Sequence, residues 1–154
     1  ASLLITAKGQ PVIYYGEELG QTGPTANNMD KGEYNENRYD FDWDAVASSD
    51  MHAHYQKLLN IRKNNSLIFS KGDRRTVAGS NKEGFVIFSR NYEGQEVMVG
   101  LNILDEPTTV TIPVSEASYS DLYSENTPYN ASEGTITIVI PARSEGGTVI
   151  LMAD

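Results

Sequence analysis

A chain of 154 residues with 39% hydrophobic and 21% charged residues can bury one substantial core. It is too short for a complete (β/α)8 barrel, which takes about 250 residues. Acidic residues outnumber basic ones by 21 to 12, and the resulting formal net charge of −9 repels phosphate backbones and anionic lipid, so neither nucleic acid nor membrane is an expected partner. The absence of cysteine excludes disulfides and thiolate chemistry and suits secreted bacterial enzymes and cytosolic proteins equally, leaving the compartment open.

Residues 1–8 read as the last turns of a helix, ended by Gly9 in the left-handed conformation with Pro11 just beyond. The run Gly9-Gln10-Pro11-Val12-Ile13-Tyr14-Tyr15-Gly16-Glu17-Glu18-Leu19-Gly20 then opens with Gly and Pro and closes on a Gly with two carboxylates. Its apolar centre, Val12 to Tyr15, predicts a short strand buried on both faces, as in a parallel sheet, running into an exposed polar loop. No second strand followed by a crossover helix exists to pair with it, so the chain reads as starting inside a domain. Residues 16–48 form a long loop rich in Gly, Asn, Asp and Glu, in which Tyr34, Tyr39, Phe41 and Trp43 argue against disorder.

Ser49 is placed as an N-cap, and Met51, Tyr55, Leu58, Leu59 and Arg62 recur at helical spacing up to Asn64, which predicts one amphipathic helix. The period then changes to two. Strands are expected at residues 85–88, 97–101, 110–112, 135–140 and 148–151, with turns at Glu83-Gly84, Glu93-Gly94, Asp105-Glu106-Pro107, Glu133-Gly134 and Gly146-Gly147. Strands so spaced indicate an antiparallel sandwich, and the boundary before it falls near residues 69–73.

Several groups of chemistry-bearing residues carry little. His52 and His54 are two apart on the predicted helix and do not share a face as paired metal ligands would. Glu17 and Glu18 are adjacent on a loop, whereas glycoside hydrolysis sets carboxyls across a sugar, about 5 to 9 Å apart; Glu18 is better read as capping backbone donors. Asp40, Asp42 and Asp44 lack the spacing of a calcium loop and read as a solvated face. The glycosylation sequons at Asn64 and Asn130 are short motifs of low specificity. Arg38 stands out, because a guanidinium among aromatics can hold a sugar by hydrogen bonds and stacking; pairing with Glu36 or Asp40 is the alternative.

The Gly9 to Gly20 string resembles the eighth-strand motif of the α-amylase family, glycoside hydrolase family 13, in which Gly-x-Pro precedes a Tyr-Tyr-Gly-x-Glu turn. In the same order, Arg38-Tyr39-Asp40-Phe41-Asp42-Trp43 is similar to that family's loop arginine and following tryptophan, residues 54–63 to its last barrel helix, and Ser70-Lys71-Gly72 to the hand-over into its C-terminal domain. The strands beyond, including Val97-Met98-Val99-Gly100-Leu101-Asn102, are similar to the all-β C-terminal domain. The resemblance implies an α+β fragment in which residues 1–69 end the catalytic barrel and residues 70–154 form an antiparallel β-sandwich. It further implies retaining cleavage of α-glucosidic bonds in starch-like glucans, by carboxylates on earlier strands that have no match here, so that the chain alone is expected to be inactive. Arg38 is the position that matches the family's sugar-binding arginine, and Tyr34 stands four residues before it where many members carry Asp; these two are the substrate-binding candidates. No cofactor is expected in this chain, and use of calcium by the parent enzyme is left open. The expected partners are an α-glucan and either a companion N-terminal barrel segment or a second copy. The alternative is an independent β-sandwich module that binds carbohydrate or protein, with Tyr119, Tyr123 and Tyr129 as an exposed stacking platform.

Overall fold

The computed structural model describes residues 1–23, 31–32, 34 and 38–154. Among these, three α-helices, α1 (Ser2–Thr6), α2 (Asp50–Asn64) and α3 (Ser66–Lys71), precede the strands. The strands are β1 (Asp73–Ser80), β2 (Phe85–Tyr92), β3 (Gln95–Asn102), β4 (Thr108–Pro113), β5 (Ser118–Asp121), β6 (Thr127–Asn130), β7 (Thr135–Ile140) and β8 (Thr148–Ala153). Residues 1–11 and 57–154 form one compact unit and residues 12–56 another.

In the larger unit, one sheet has the strand order β1-β2-β3-β8-β5-β6 and a second pairs β4 with β7, all antiparallel. The five strands expected from the sequence are all present, with ends set by the turns. Glu93 and Gly94 link β2 to β3 directly, since Tyr92 pairs with Gln95, and both have positive φ, at 51° and 84°. This is the two-residue turn whose twist matches the strands it joins, and glycine in the second position adopts it without strain.

Cross-strand register sorts the large sheet into two faces. Ile87, Gly100 and Val149 align across β2, β3 and β8, and with Met98, Leu151 and Tyr119 they pack on Ile112, Ile136, Ile138 and Ile140 of the small sheet. The approach at Gly100 is close: a Cβ there would lie 3.1 Å from Ile140 Cδ1, tighter than ordinary van der Waals contact. On the opposite face Phe88, Val99 and Ile150 align, each 1% exposed or less, and this face is covered by α1 and α3. Each such side chain contributes about 1.5–3 kcal/mol by leaving water. Burial on both faces explains the continuous apolar stretches at residues 85–88 of β2, 97–101 of β3 and 149–153 of β8, although antiparallel sheets commonly leave one face wet.

Ser49 caps α2 as expected, its Oγ accepting the His52 N–H at 3.1 Å. The buried stripe of α2 runs through Tyr55, Leu58, Ile61 and Arg62, whereas Met51 and Leu59, expected on it, are 46% and 38% exposed. Three expectations need larger corrections. Val12 to Tyr14 lie in no strand and Tyr15 is already in a turn, and Val12 is 81% exposed, because no described strand lies beside the run to accept its backbone hydrogen bonds. No element was expected between Asn64 and residue 85 beyond a boundary near residues 69–73, whereas residues 66–80 hold α3 and β1. Tyr119 is no exposed platform: it is 1% exposed in the core between the sheets, and its hydroxyl accepts the Glu116 N–H at 3.2 Å.

Tyr123 and Tyr129 are partly buried, and burial first, then the negative charge of Asp121, raises both phenols above the usual 10.0. A folded-state pKa above the unfolded one means the fold favours the neutral phenol. Their stabilising effect is therefore full below the ordinary phenol range and is lost as pH rises through the folded-state values. Urea midpoints measured across alkaline pH, beside an ultraviolet phenolate titration, are expected to fall over that range and to be insensitive to these groups below it.

Candidate functional site

The smaller unit is organised by the turn that follows the extended run. Gly16, at φ 89°, accepts the N–H groups of Leu19 and Gln21 at 3.1 and 2.9 Å, and Gly20 donates to Glu17 O at 3.0 Å, closing one 3-10 turn over Glu17–Leu19. Gln21 then reaches across the loop, its Nε2 donating to Asp40 O at 2.8 Å. That bond brings the turn to the Arg38-Tyr39-Asp40 segment, and nothing in the local sequence announced it. Beyond it, Asp42 Oδ1 accepts the Ala45 N–H at 3.2 Å, and Phe41 and Trp43 meet edge to face with ring centroids 4.7 Å apart.

Arg38 is exposed and forms no ion pair with a described carboxylate; Glu36, one alternative partner, lies outside the described residues. Its charge is felt at Tyr15, whose ring lies 4.7 Å from that of Tyr14. Desolvation and hydrogen bonding with Tyr14 raise the Tyr15 phenol, Arg38 opposes them, and Asp40 reinforces them. The structure therefore groups Arg38 with Tyr14, Tyr15 and Asp40. Tyr34 is 50% exposed, and no described hydrogen bond joins it to Arg38. A guanidinium within electrostatic reach of the exposed Tyr15 phenol offers hydrogen-bond donors and a stacking face together, which suits a polyhydroxylated ring.

Glu18 does not cap backbone donors among the described residues. Among the described residues its Oε2 and Gln21 Oε1 are shielded from solvent without hydrogen-bond partners. Among the described residues no group of three or more His, Cys, Asp or Glu is placed to hold a metal, and no helix is long and apolar enough to cross a membrane.

Arg62 was legible only as a member of the helical stripe. It is 8% exposed, and its guanidinium donates to Ile5 O, to Ala7 O at 2.9 Å and to Gly9 O, fixing the backbone from the end of α1 to the residue before Gln10-Pro11. An arginine among the apolar positions of an amphipathic helix is the signal that could have exposed it.

Residues 79–146 match the family model of the alpha-amylase C-terminal domain, a span that runs from the end of β1 to the turn before β8. That stretch is similar to an α-amylase C-terminal domain. It is 26% identical over 148 residues to the alpha-amylase MalA of Haloarcula japonica, covering 94% of this chain and 20% of that protein. It is 29% identical over 102 residues to the maltogenic alpha-amylase of Bacillus acidopullulyticus, covering 65% of this chain and 16% of the relative. The chain thus spans a fifth or less of the length of either relative. The crystal structure of an Anoxybacillus alpha-amylase has the same fold over 99% of this chain and 31% of its own, with a TM-score of 0.78 at 19% identity. The region matched by the family model holds the whole small sheet and most of the core between the sheets.

Proposed function

We propose that this chain is the C-terminal part of a retaining glycoside hydrolase acting on α-glucosidic bonds of starch-like glucans. Residues 1–69 close its catalytic barrel and residues 70–154 form its C-terminal domain. The observation that carries this reading is the amylase-domain match over residues 79–146, preceded in order by the Gly9 to Gly20 motif and by Arg38 to Trp43. Val12 to Tyr15 gains strand pairing when the barrel's other strands lie beside it, which accounts for an apolar run left exposed here. The catalytic carboxylates come from that companion segment, and this chain supplies the loop. In it Arg38 donates hydrogen bonds to sugar hydroxyls near the non-reducing end, with Tyr34 at the same rim.

Native mass spectrometry of the purified preparation, with a denatured spectrum and an assay on soluble starch, tests this. The expected result is a heavier companion chain in the complex, starch hydrolysis by the complex, and none by the 17.0 kDa chain alone. Within the complex, Arg38→Ala is expected to lower kcat/KM by about tenfold to a hundredfold, the loss of one charge-assisted hydrogen-bonding group of about 1.5–3 kcal/mol. Hydrolysis by the isolated chain, or a starch-active complex indifferent to Arg38→Ala, would count against the assignment of roles.

A further inference from the structure

The charge of this chain is unevenly placed. Residues 57–90 hold eight of the twelve Lys and Arg but only two of the 21 Asp and Glu, so a strongly basic stretch sits inside a chain of net charge −9. In the fold it forms the second half of α2, α3, β1 and most of β2. Alternation along β2 puts Phe88, Arg90 and Tyr92 in one row on the helix-covered face of the large sheet, and register sets Arg74 of β1 directly opposite Arg90. Arg74 lies over the Phe88 ring, its guanidinium carbon 4.8 Å from the centroid, and Lys71 Nζ lies 6.0 Å from the centroid of the Tyr92 ring. Two exposed cations thus flank a third that is 1% exposed.

Like charges set opposite each other across a ladder destabilise it, and a buried charge is costly unless it is paired. Among the described residues these cations have no carboxylate of their own. Arg90 Nη2 donates to Phe69 O at 3.1 Å, while its Nε is shielded from solvent without an acceptor. Arg74 gives one bond, to Thr76 Oγ1 at 3.3 Å. Of the acids beside the row, Asp73 stands on the other face of β1 by alternation and bridges Lys8 at 3.2 Å, and Glu93 is taken up with the Tyr92 hydroxyl, whose pKa it raises. Arg62 adds positive charge from the interior, its guanidinium carbon 5.9 Å from the Phe69 ring centroid and its bonds all to backbone carbonyls. Burial and then the charge of Arg74 lower the Arg90 pKa, with Asp73 opposing them, as fits an excess of cations at this place.

We propose that this row is a binding site for a small tetrahedral oxyanion, phosphate or sulfate, which accepts hydrogen bonds from the exposed heads of Arg74 and Lys71 and from Arg90 between them. A guanidinium presents its donors as a planar fork that suits such oxygens, and charge-assisted bonds of this kind are about twice as strong as neutral ones. Charge also fixes the size of the occupant. An extended polyanion meets the whole net charge of −9, whereas a single ion held among three cations responds to them, distant charge being screened beyond a Debye length of about 10 Å at moderate salt.

Nuclear magnetic resonance of the arginine Nε–H groups of the full chain, recorded while sodium phosphate replaces sodium chloride at constant ionic strength, tests this. The expected result is that the Arg74 and Arg90 resonances move together on one saturable curve with a millimolar midpoint, while that of Arg143, bridged to Asp105 at 2.7 Å, stays in place. Read at Arg90, Arg74→Gln is expected to raise the midpoint by about tenfold and Lys71→Gln by about threefold, with circular dichroism unchanged because both side chains are exposed. Arg75→Gln removes the same charge from the opposite face of β1 and is expected to leave the midpoint where it is. Resonances that move without saturating show that no site exists, and equal effects of Arg74→Gln and Arg75→Gln show a general response to charge; either result overturns the proposal.

Discussion

Arg62→Met is expected to lower the folding stability of the chain by about 3–5 kcal/mol, read as a shift of the urea midpoint at unchanged slope. Methionine retains much of the buried stem, so the loss reports the guanidinium. Two effects oppose each other. Burial, and then repulsion from Arg90, lowers the pKa of Arg62, and removing an uncompensated buried charge relieves that cost. Against this, the carbonyls of Ile5, Ala7 and Gly9 lose their donor together. A stranded buried carbonyl costs about 1–3 kcal/mol, and three of them outweigh the relief. Arg62→Lys is expected to recover only part of the loss, since a single ammonium cannot fork across three acceptors. Lys8→Ala is the control in the same region: its bridge to Asp73 at 3.2 Å joins groups whose side chains are 56% and 95% exposed, and its removal is expected to be barely measurable. If Arg62→Met unfolds at the wild-type midpoint, the clamp contributes nothing.

Asn102→Ala is expected to cost about 2–4 kcal/mol, because one side chain there serves both ends of a corner. Asn102 is 4% exposed at the end of β3. Its Nδ2 donates to Glu106 O at 2.9 Å and Pro141 O at 3.0 Å, its Oδ1 accepts the Leu104 N–H at 2.9 Å, and its backbone N–H donates to Gly147 O at 2.9 Å. The approach to β4, the exit from β7 and the approach to β8 are thus held at one point. Asn102→Asp should be worse than alanine, since it keeps the acceptor for Leu104 but turns a lone pair toward two carbonyl oxygens. The corner has no slack, because a Cβ on Gly147 would lie 2.3 Å from Asn102 O. Thermal unfolding of both variants checks the order, and an aspartate variant as stable as wild type would show that this amide makes no net contribution.

The strands bounded by Glu-Gly or Gly-Gly turns were legible because turn chemistry and the two-residue period act locally. β1 was hidden by Asp73, Arg74 and Arg75, which are exposed at the end of an edge strand. β5 and β6 were too short and polar to register. Tyr119 was misjudged on chemical type, although alternation through Ser118, Tyr119, Ser120 and Asp121 places it and Asp121 on the same, buried side, with Asp121 Oδ1 accepting the N–H groups of Tyr123 and Ile150. Val12 to Tyr15 shows the reverse error, since an apolar run signals burial but cannot supply the neighbouring strands. At the candidate site, residue types marked Arg38 and its aromatic surroundings, whereas the Gln21 to Asp40 bond spans 19 positions and leaves no periodic trace.

The grouping of residues 1–11 with 57–154 makes the intervening residues 12–56 an excursion that leaves one folded body and returns to it. The entropic cost of such an excursion depends only weakly on its contour, each doubling of length adding about 0.6 kcal/mol. The length of the stretch between Pro11 and Ser49 can therefore drift at little expense to the body that anchors it, whose departure point is pinned by Arg62 and whose return is carried by the helix that holds Arg62. Such a tether can be lengthened, shortened or exchanged as a cassette while the surrounding scaffold remains under its own, separate selection for packing.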